Sequence, residues 1–202
     1  MPDAGRVITG TAGGRRLRAP GSGTRPLSDK VKQALFSMLE AERGDAWDRP
    51  MLDLFAGSGA AGIEALSRGA PQAVFVERHA RAASVIAANL ERTRLADRGR
   101  IIRADAAAFL ATDPAGSTDR RFGVVVVDPP YDATPQLVRC LERLGEATAA
   151  WLDADAVVVA KHFWKDEPPE RVGALVRTRV RRFGETALSV YRRMPTPLAG
   201  GS

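Results

Sequence analysis

A doubly wound α/β sheet of seven strands, the last antiparallel, with a small β-hairpin ahead of it, is predicted by three features of this 202-residue chain. Short apolar runs alternate with segments of helical periodicity from Leu52 to Ala160, as parallel strands joined by helical crossovers require. The first run breaks into Gly57-Ser58-Gly59-Ala60-Ala61-Gly62, a glycine turn that enters an alanine-rich helix. At the far end, two strand-like stretches, 174–183 and 186–193, are separated only by Gly184-Glu185, which is a hairpin spacing.

Taken in order, residues 5–20 read as two short strands, around Arg6–Gly10 and Arg15–Arg18, joined by Ala12-Gly13-Gly14. That hairpin is too small to hold a core and has to lie against something else. Gly21 to Pro26 is a loop. Ser28 is the expected N-cap, with Asp29 in the first turn, of an amphipathic helix to Glu42 that repeats Val31, Leu35, Met38 and Leu39. The glycine-loop helix runs from Ala60 to Leu66 and stops at Ser67-Arg68-Gly69-Ala70. A strand at Ala73 to Val76, a helix at Ala80 to Arg92, and a third strand opening at Ile101 and ending near Asp105 follow. Gly123 to Val127 is wholly apolar and β-branched, the mark of a central parallel strand buried on both faces. A helix over Thr134 to Ala150, a fifth strand over Ala156 to Ala160, and the closing hairpin complete the series. The expected division is a basic extension over 1–27, one catalytic domain over 28–193, and a disordered tail over 194–202.

Bulk properties narrow the function classes. The chain is 45% hydrophobic and 27% charged, which is ordinary for a globular protein, and it has neither a signal-peptide core nor a bilayer-length apolar run. A single cysteine, Cys140, excludes a disulfide framework, and His79 and His162 lack metal-ligand spacing. A cytoplasmic monomer without a metal is expected. The net charge of +6 is uneven. Residues 1–32 carry seven Lys/Arg against two Asp, and residues 171–193 carry seven Arg against one Glu, so the middle is acidic. Basic flanks on an acidic core suggest arms for a polyanion, and Arg177, Arg179 and Arg181 alternate as though on one strand face.

The ligand of an open α/β sheet lies beyond the carboxyl ends of its strands, and four acids fall there: Asp53, Glu77, Asp105 and Asp128. Gly57-x-Gly59-x-x-Gly62 with Glu77 twenty residues past Gly57 is a Rossmann-like adenosine fingerprint. A pyrophosphate at the helix start would be repelled by Asp53. S-adenosylmethionine carries no phosphate: its ammonium suits Asp53, directly or through water, its ribose diol Glu77, and its adenine amine Asp105. Phe55, Ala56, Ser58, Arg78 and Ala106 complete the expected cofactor-binding set beside Gly57 and Gly59.

Asp128-Pro129-Pro130-Tyr131 is the sharper signal. Two prolines fix φ and remove donors, so the turn offers two acceptors, the Asp128 carboxylate and the Pro129 carbonyl. An exocyclic amine on an aromatic ring is a poor nucleophile, and two acceptors on its hydrogens favour pyramidalisation and hold the nitrogen in line with an activated methyl group. Tyr131 then stacks on the base.

With these residues in place the chain resembles class I S-adenosylmethionine-dependent amino-methyltransferases. More closely, it resembles the bacterial family that methylates the guanine N2 amine in small-subunit (16S) ribosomal RNA. The resemblance rests on Arg6-Val7-Ile8, Gly13 to Leu17, Thr24-Arg25-Pro26, Ala34-Leu35-Phe36, Leu52 to Gly62, Glu64 to Ala70 and Asp128 to Tyr131. It implies that Thr24, Arg25 and Pro26 fold over the methionine end of the cofactor. It also implies that the hairpin arginines, Arg6, Arg15, Arg16 and Arg18, help hold ribosomal RNA or an assembling small subunit, with a flipped guanine above Asp128. Leu27, Ser37 and Ala61 stand where the family has Thr, Asn and Leu, and around Lys161-His162-Phe163-Trp164 it more often shows a glutamate. Three other readings compete: a DNA adenine-N6 methyltransferase with the same amine grip, an NAD-dependent oxidoreductase, and a non-catalytic RNA-binding module.

Overall fold

The alternation read from the apolar runs is present in a computed structural model that describes residues 3–21, 27–43, 47–112, 121–146 and 151–194. A two-stranded antiparallel ribbon, β1 (Asp3–Arg6) and β2 (Arg16–Arg18), leads into α1 (Asp29–Arg43), β3 (Met51–Leu54), α2 (Ala60–Ser67), β4 (Ala73–Val76) and α3 (Ala80–Thr93). Then come β5 (Gly99–Ile102), α4 (Ala106–Leu110), β6 (Phe122–Val127), α5 (Thr134–Gly145) and β7 (Leu152–Phe163). The chain closes with β8 (Arg171–Val172), β9 (Leu175–Phe183) and β10 (Thr186–Arg193).

The main sheet has the order β5-β4-β3-β6-β7-β10-β9-β8. Strands β5 to β7 pair parallel, and β10 lies antiparallel between β7 and β9. Its eighth member, β8, is absent from the sequence reading. It is a two-residue edge pairing with the start of β9, too short to carry an alternating pattern. Every residue of β3, β4 and β6 is buried, as the valine-rich runs require. Val125 and Val127 face α4 and α5, whereas Val124 and Val126 face α1 and α2. Three layers result, with helices on both sides of the sheet. No helix among the described residues is long and apolar enough to cross a membrane.

The ribbon differs from the expected hairpin, because its first strand ends at Arg6. Beyond it the backbone donors of Ile8 and Thr9 go to the two oxygens of the buried Glu64 carboxylate, at 2.7 and 3.1 Å, so the ladder cannot continue. Arg68 donates its Nε to the same carboxylate at 2.9 Å. On the other flank the fully buried ammonium of Lys32 donates to the Arg6 carbonyl. Val7, Ala12 and Leu17 pack on Ile63, Leu66 and Ile86, so the segment is fastened to α2 and α3 rather than loose. Elsewhere the differences are at element ends. β5 stops at Ile102, three residues short of Asp105, and β7 is twelve residues long. The expected continuation of α5 to Ala150 falls partly outside the described residues, as does the tail beyond Met194.

A second difference alters a predicted surface. The pairs Val190↔Arg179 and Tyr191↔Arg177 place one extra residue of β9 against β10, a β-bulge. Paired residues share a face, and Val190 and Tyr191 are on opposite faces, so Arg177 does not share a face with Arg179 and Arg181. It turns to the side of Tyr191 and pairs with Glu167 at 3.2 Å and Glu170 at 3.4 Å, with its side chain 10% exposed.

Candidate active site

At the carboxyl ends of β3, β4, β6 and β7 a cleft of about 680 Å³ is lined by all four predicted acids, the glycine loop and the Asp-Pro-Pro-Tyr corner. Local chemistry puts each wall in place. Phe55 leaves β3 with φ 61, a left-handed conformation that costs an aromatic residue roughly 1–2 kcal/mol and turns the chain sharply into the loop. Ser28, which caps α1 by accepting from the Val31 N–H at 3.3 Å, lines the opposite rim with Pro20 and Leu27. Gly62 opens no turn. A Cβ there would stand 2.3 Å from the Phe75 ring, so this glycine lets α2 lie close on β4.

Three of the acids are fixed by backbone donors. The oxygens of Glu77 accept from the Gly57 N–H at 2.9 Å and the His79 N–H at 2.8 Å. Asp53 is buried and accepts from the Gly62 N–H at 2.9 Å. Burial, with lesser pushes from Asp128 and Glu77, raises its carboxyl to about 8 despite the pull of that N–H. Asp105 is the N-cap of α4, accepting from the Ala108 N–H at 3.0 Å, and is not a strand-end group. A phosphate fits this wall poorly, since the first loop N–H is turned to a carboxylate and three acids converge. An adenosine group without phosphate fits. Each Glu77 oxygen keeps a lone pair for a diol, and Asp105 keeps a second oxygen for an amine. Gln136, on α5, adds a buried Oε1 that has no hydrogen-bond partner among the described residues, as an acceptor reserved for a ligand donor would be.

Asp128 closes the other wall. Its N–H donates to the Leu54 carbonyl at 3.2 Å, which seats the proline corner beside the glycine loop, and Pro130 accepts from the Ala133 N–H at 2.9 Å as the turn enters α5. Unlike the other three acids, Asp128 is held by a side chain, the ammonium of Lys161 at the end of β7. That ammonium also stands 5.3 Å from the centroid of the Tyr131 ring, whose hydroxyl is hydrogen-bonded to Thr186 of β10. Sequence reasoning missed Lys161, Gln136 and Thr186. Lys161 carried a usable signal, since it is a polar residue at the carboxyl end of a parallel strand, the same rule that selected the acids.

Phe55, Ala56, Gly57, Ser58, Arg78 and Ala106 also line the cleft, while Gly59 lies behind it with its φ of 76. Thr24, Arg25 and Pro26 lie outside the described residues. The basic residues are not gathered into one patch. Arg15 donates to the Arg92 carbonyl at 2.8 Å, Arg16 pairs with Asp3 at 2.7 Å, and Arg6 approaches Asp29 at 3.6 Å, all on the ribbon side with Arg18. Arg179, 3.9 Å from Glu42, and Arg181, over the Phe183 ring at 5.8 Å, stand on β9 near the other edge. Five strand spacings separate β4 from β9, roughly 24 Å, and none of these arginines lines the cleft. Cys140 is buried in the core and its thiol is pushed up to about 12 by burial, as a structural residue.

Against known proteins, the family described as conserved hypothetical protein 95 matches residues 5–192. YlbH of Bacillus subtilis is 38% identical over 193 residues, covering 93% of this chain and 98% of that one. The ribosomal RNA small subunit methyltransferase D of Escherichia coli K12 is 32% identical over 191 residues, covering 93% and 89%. The solved structure of Escherichia coli yhhF superposes with a TM-score of 0.77 at 30% identity, over 95% of this chain and 98% of that chain. A Salinibacter ruber RNA methyltransferase solved with S-adenosyl-L-homocysteine shares the fold, with a TM-score of 0.61 at 14% identity over 87% and 98%.

Proposed function

The chain belongs to the family described as conserved hypothetical protein 95, and on that footing we propose that it transfers a methyl group from S-adenosylmethionine to the exocyclic N2 amine of a guanine in small-subunit ribosomal RNA. The observation that carries this reading is the meeting of the glycine loop, Glu77 and Asp105 with Asp128-Pro129-Pro130-Tyr131 in one cleft, although Asp128 follows Gly62 by 66 positions. The cofactor supplies a methyl group activated on a sulfonium.

The chain's own residues do the rest. Glu77 takes the ribose diol on the lone pairs its two backbone donors leave open. Asp105 and the Gln136 Oε1 accept from the adenine amine, and Asp53, ionised, balances the ammonium end. On the acceptor side Asp128 and the Pro129 carbonyl accept hydrogen bonds from the two amine hydrogens and aim the nitrogen lone pair inward, and the methylated nitrogen then gives up one proton. Lys161 holds the Asp128 carboxylate at one angle, and Tyr131, pinned by Thr186, walls the base. Arg6, Arg15, Arg16 and Arg18 on the ribbon and Arg179 and Arg181 on β9 meet RNA phosphates outside the cleft. Arg177, bound to its acids, does not.

The test is transfer of labelled methyl to naked small-subunit RNA, to assembled subunits and to DNA, with nucleoside identification. Label in N2-methylguanosine supports the reading. Label in N6-methyladenine of DNA, or heat on mixing with NAD but none with S-adenosylmethionine, overturns it.

A further inference from the structure

We propose that the rim formed by the carboxyl ends of β7 and β9 and the amino end of β10 is a seat for single-stranded RNA flanking the target base, built on Trp164 and Arg182. This rests on the RNA reading above. Three rings lead outward from the Asp128 corner: Tyr131 is 6.1 Å from Phe163, and Phe163 is 6.3 Å from Trp164, centroid to centroid. Tyr131 lines the cleft, whereas Phe163 and Trp164 lie beyond it. Cations accompany the outermost ring. The Arg182 guanidinium is 3.6 Å from the Trp164 centroid and the Lys165 ammonium 5.3 Å.

The arrangement is built, not incidental. The backbone N–H of Trp164 donates to the Glu185 carbonyl at 3.1 Å, which ties its main chain to the β9–β10 turn, and Arg182 donates its Nε to the Gly184 carbonyl at 2.7 Å, which holds the guanidinium there. Gly184, Glu185 and Thr186 of that turn line the cleft, so the rim is continuous with it. Nearby Glu167 and Glu170 are engaged by Arg177, which lessens the acidic charge facing the rim.

Aromatic faces with guanidinium and ammonium groups suit a base and its phosphate, and the chemistry is indifferent to sequence. A base drawn out of its stack also leaves its neighbours unstacked. A ring surface next to the pocket that restacks one of them offsets part of the cost of flipping. A basic rim alone would bind any polyanion; the ring chain selects unpaired bases over a duplex.

The experiment titrates a fluorescein-labelled single-stranded RNA of small-subunit sequence, and the same RNA as a duplex, into wild type, Trp164→Ala, Trp164→Phe and Arg182→Ala. Trp164→Ala is expected to weaken single-strand binding about tenfold, a stacked base's worth, and to raise the KM for RNA with kcat unchanged. Trp164→Phe restores most of the affinity, and Arg182→Ala lowers the salt slope by about one phosphate contact. Calorimetry with S-adenosylmethionine reports folding and stays at the wild-type value. Unaltered RNA affinity and KM in Trp164→Ala and Arg182→Ala overturn the seat, as does an equal loss on duplex. Wild type that methylates DNA and not RNA overturns the underlying reading instead, whatever the variants do.

Discussion

The two walls of the cleft are held by different means. On the glycine-loop wall each acid takes a backbone N–H close by in sequence: Asp105 from three residues on, Asp53 from nine, and Glu77 from twenty residues back. On the proline wall the fixing contacts are between side chains far apart, Lys161 to Asp128 across 33 residues and Tyr131 to Thr186 across 55. A backbone donor is present whatever the residue, so the first wall tolerates drift in sequence and presents a constant surface, suited to a constant ligand. The second wall can be retuned by one substitution, which suits the side that discriminates among acceptors. The contrast is testable, because changes on the proline wall are expected to strike turnover and changes on the loop wall to strike affinity.

The largest effect is expected from Asp128→Ala. It removes an acceptor needed when the amine nitrogen pyramidalises, so single-turnover methylation falls by roughly 10³-fold while calorimetric affinity for S-adenosylmethionine is kept. A matched loss of affinity would merge the two walls. Lys161→Met comes next. It frees the carboxylate to rotate, and kcat is expected to fall about 10- to 100-fold with cofactor affinity unchanged. Lys161→Arg, which keeps the charge, recovers part of the rate. Turnover equal to wild type in Lys161→Met would make the ion pair a structural ornament.

The loop wall gives a pH signature. Asp53 sits near 8 in the ligand-free protein because it is buried, so at neutral pH it is largely protonated, and an ammonium beside it favours the ionised form. Binding of S-adenosylmethionine then releases a proton and tightens as pH rises from 6 to 8, approaching tenfold per unit. Stability runs the other way. The native carboxyl lies above its unfolded value, so the folded state keeps a proton that the unfolded chain gives up. Ligand-free stability therefore falls as pH rises from about 4 towards 8. Asp53→Asn keeps an oxygen for the Gly62 N–H and is expected to flatten both trends. A steep affinity profile in Asp53→Asn would assign the proton elsewhere.

The same division decides what the sequence made legible. Val124 to Val127 announced a central strand because burial on both faces leaves no polar residue to alternate. Gly57 and Gly59 announced the turn because left-handed backbone favours glycine, and Gly62 marked the close approach of α2 to Phe75. The four acids followed from one rule about strand ends. The rule was applied only to acids, and Lys161, at an equivalent position, was noted only as part of a departure from the family pattern, with no site role. Contacts across long separations left no pattern to read. Glu64 meets Ile8 across 56 residues, so a helix carboxylate ended β1 where β-propensity alone would have continued it. The bulge in β9 is likewise silent, because one inserted residue preserves the composition of the strand and changes only which side chains share a face.

That bulge yields the smallest and most discriminating expectation. Arg177 and Arg181 are identical in type and four residues apart, and alternation would give them one role. The register gives them two. Arg177 donates to the Pro168 carbonyl at 2.9 Å and pairs with Glu167 and Glu170, beside Tyr191, whose hydroxyl donates to the Pro169 carbonyl at 2.7 Å. Arg177→Ala removes the anchor of the 167–170 segment and is expected to cost about 1–3 kcal/mol, a fall in Tm of roughly 2–4 °C per kcal/mol, with RNA affinity unchanged. Arg181→Ala does the reverse: Tm holds, while the slope of log affinity against log salt shrinks by about 0.7 to 0.9, one phosphate contact. If the two variants weakened RNA binding alike and left Tm alone, both guanidiniums would face the same ligand and the bulge would not divide them. A stability loss confined to Arg177 leaves one conclusion, that a single extra residue converted a basic stripe into a structural clamp and a separate phosphate contact.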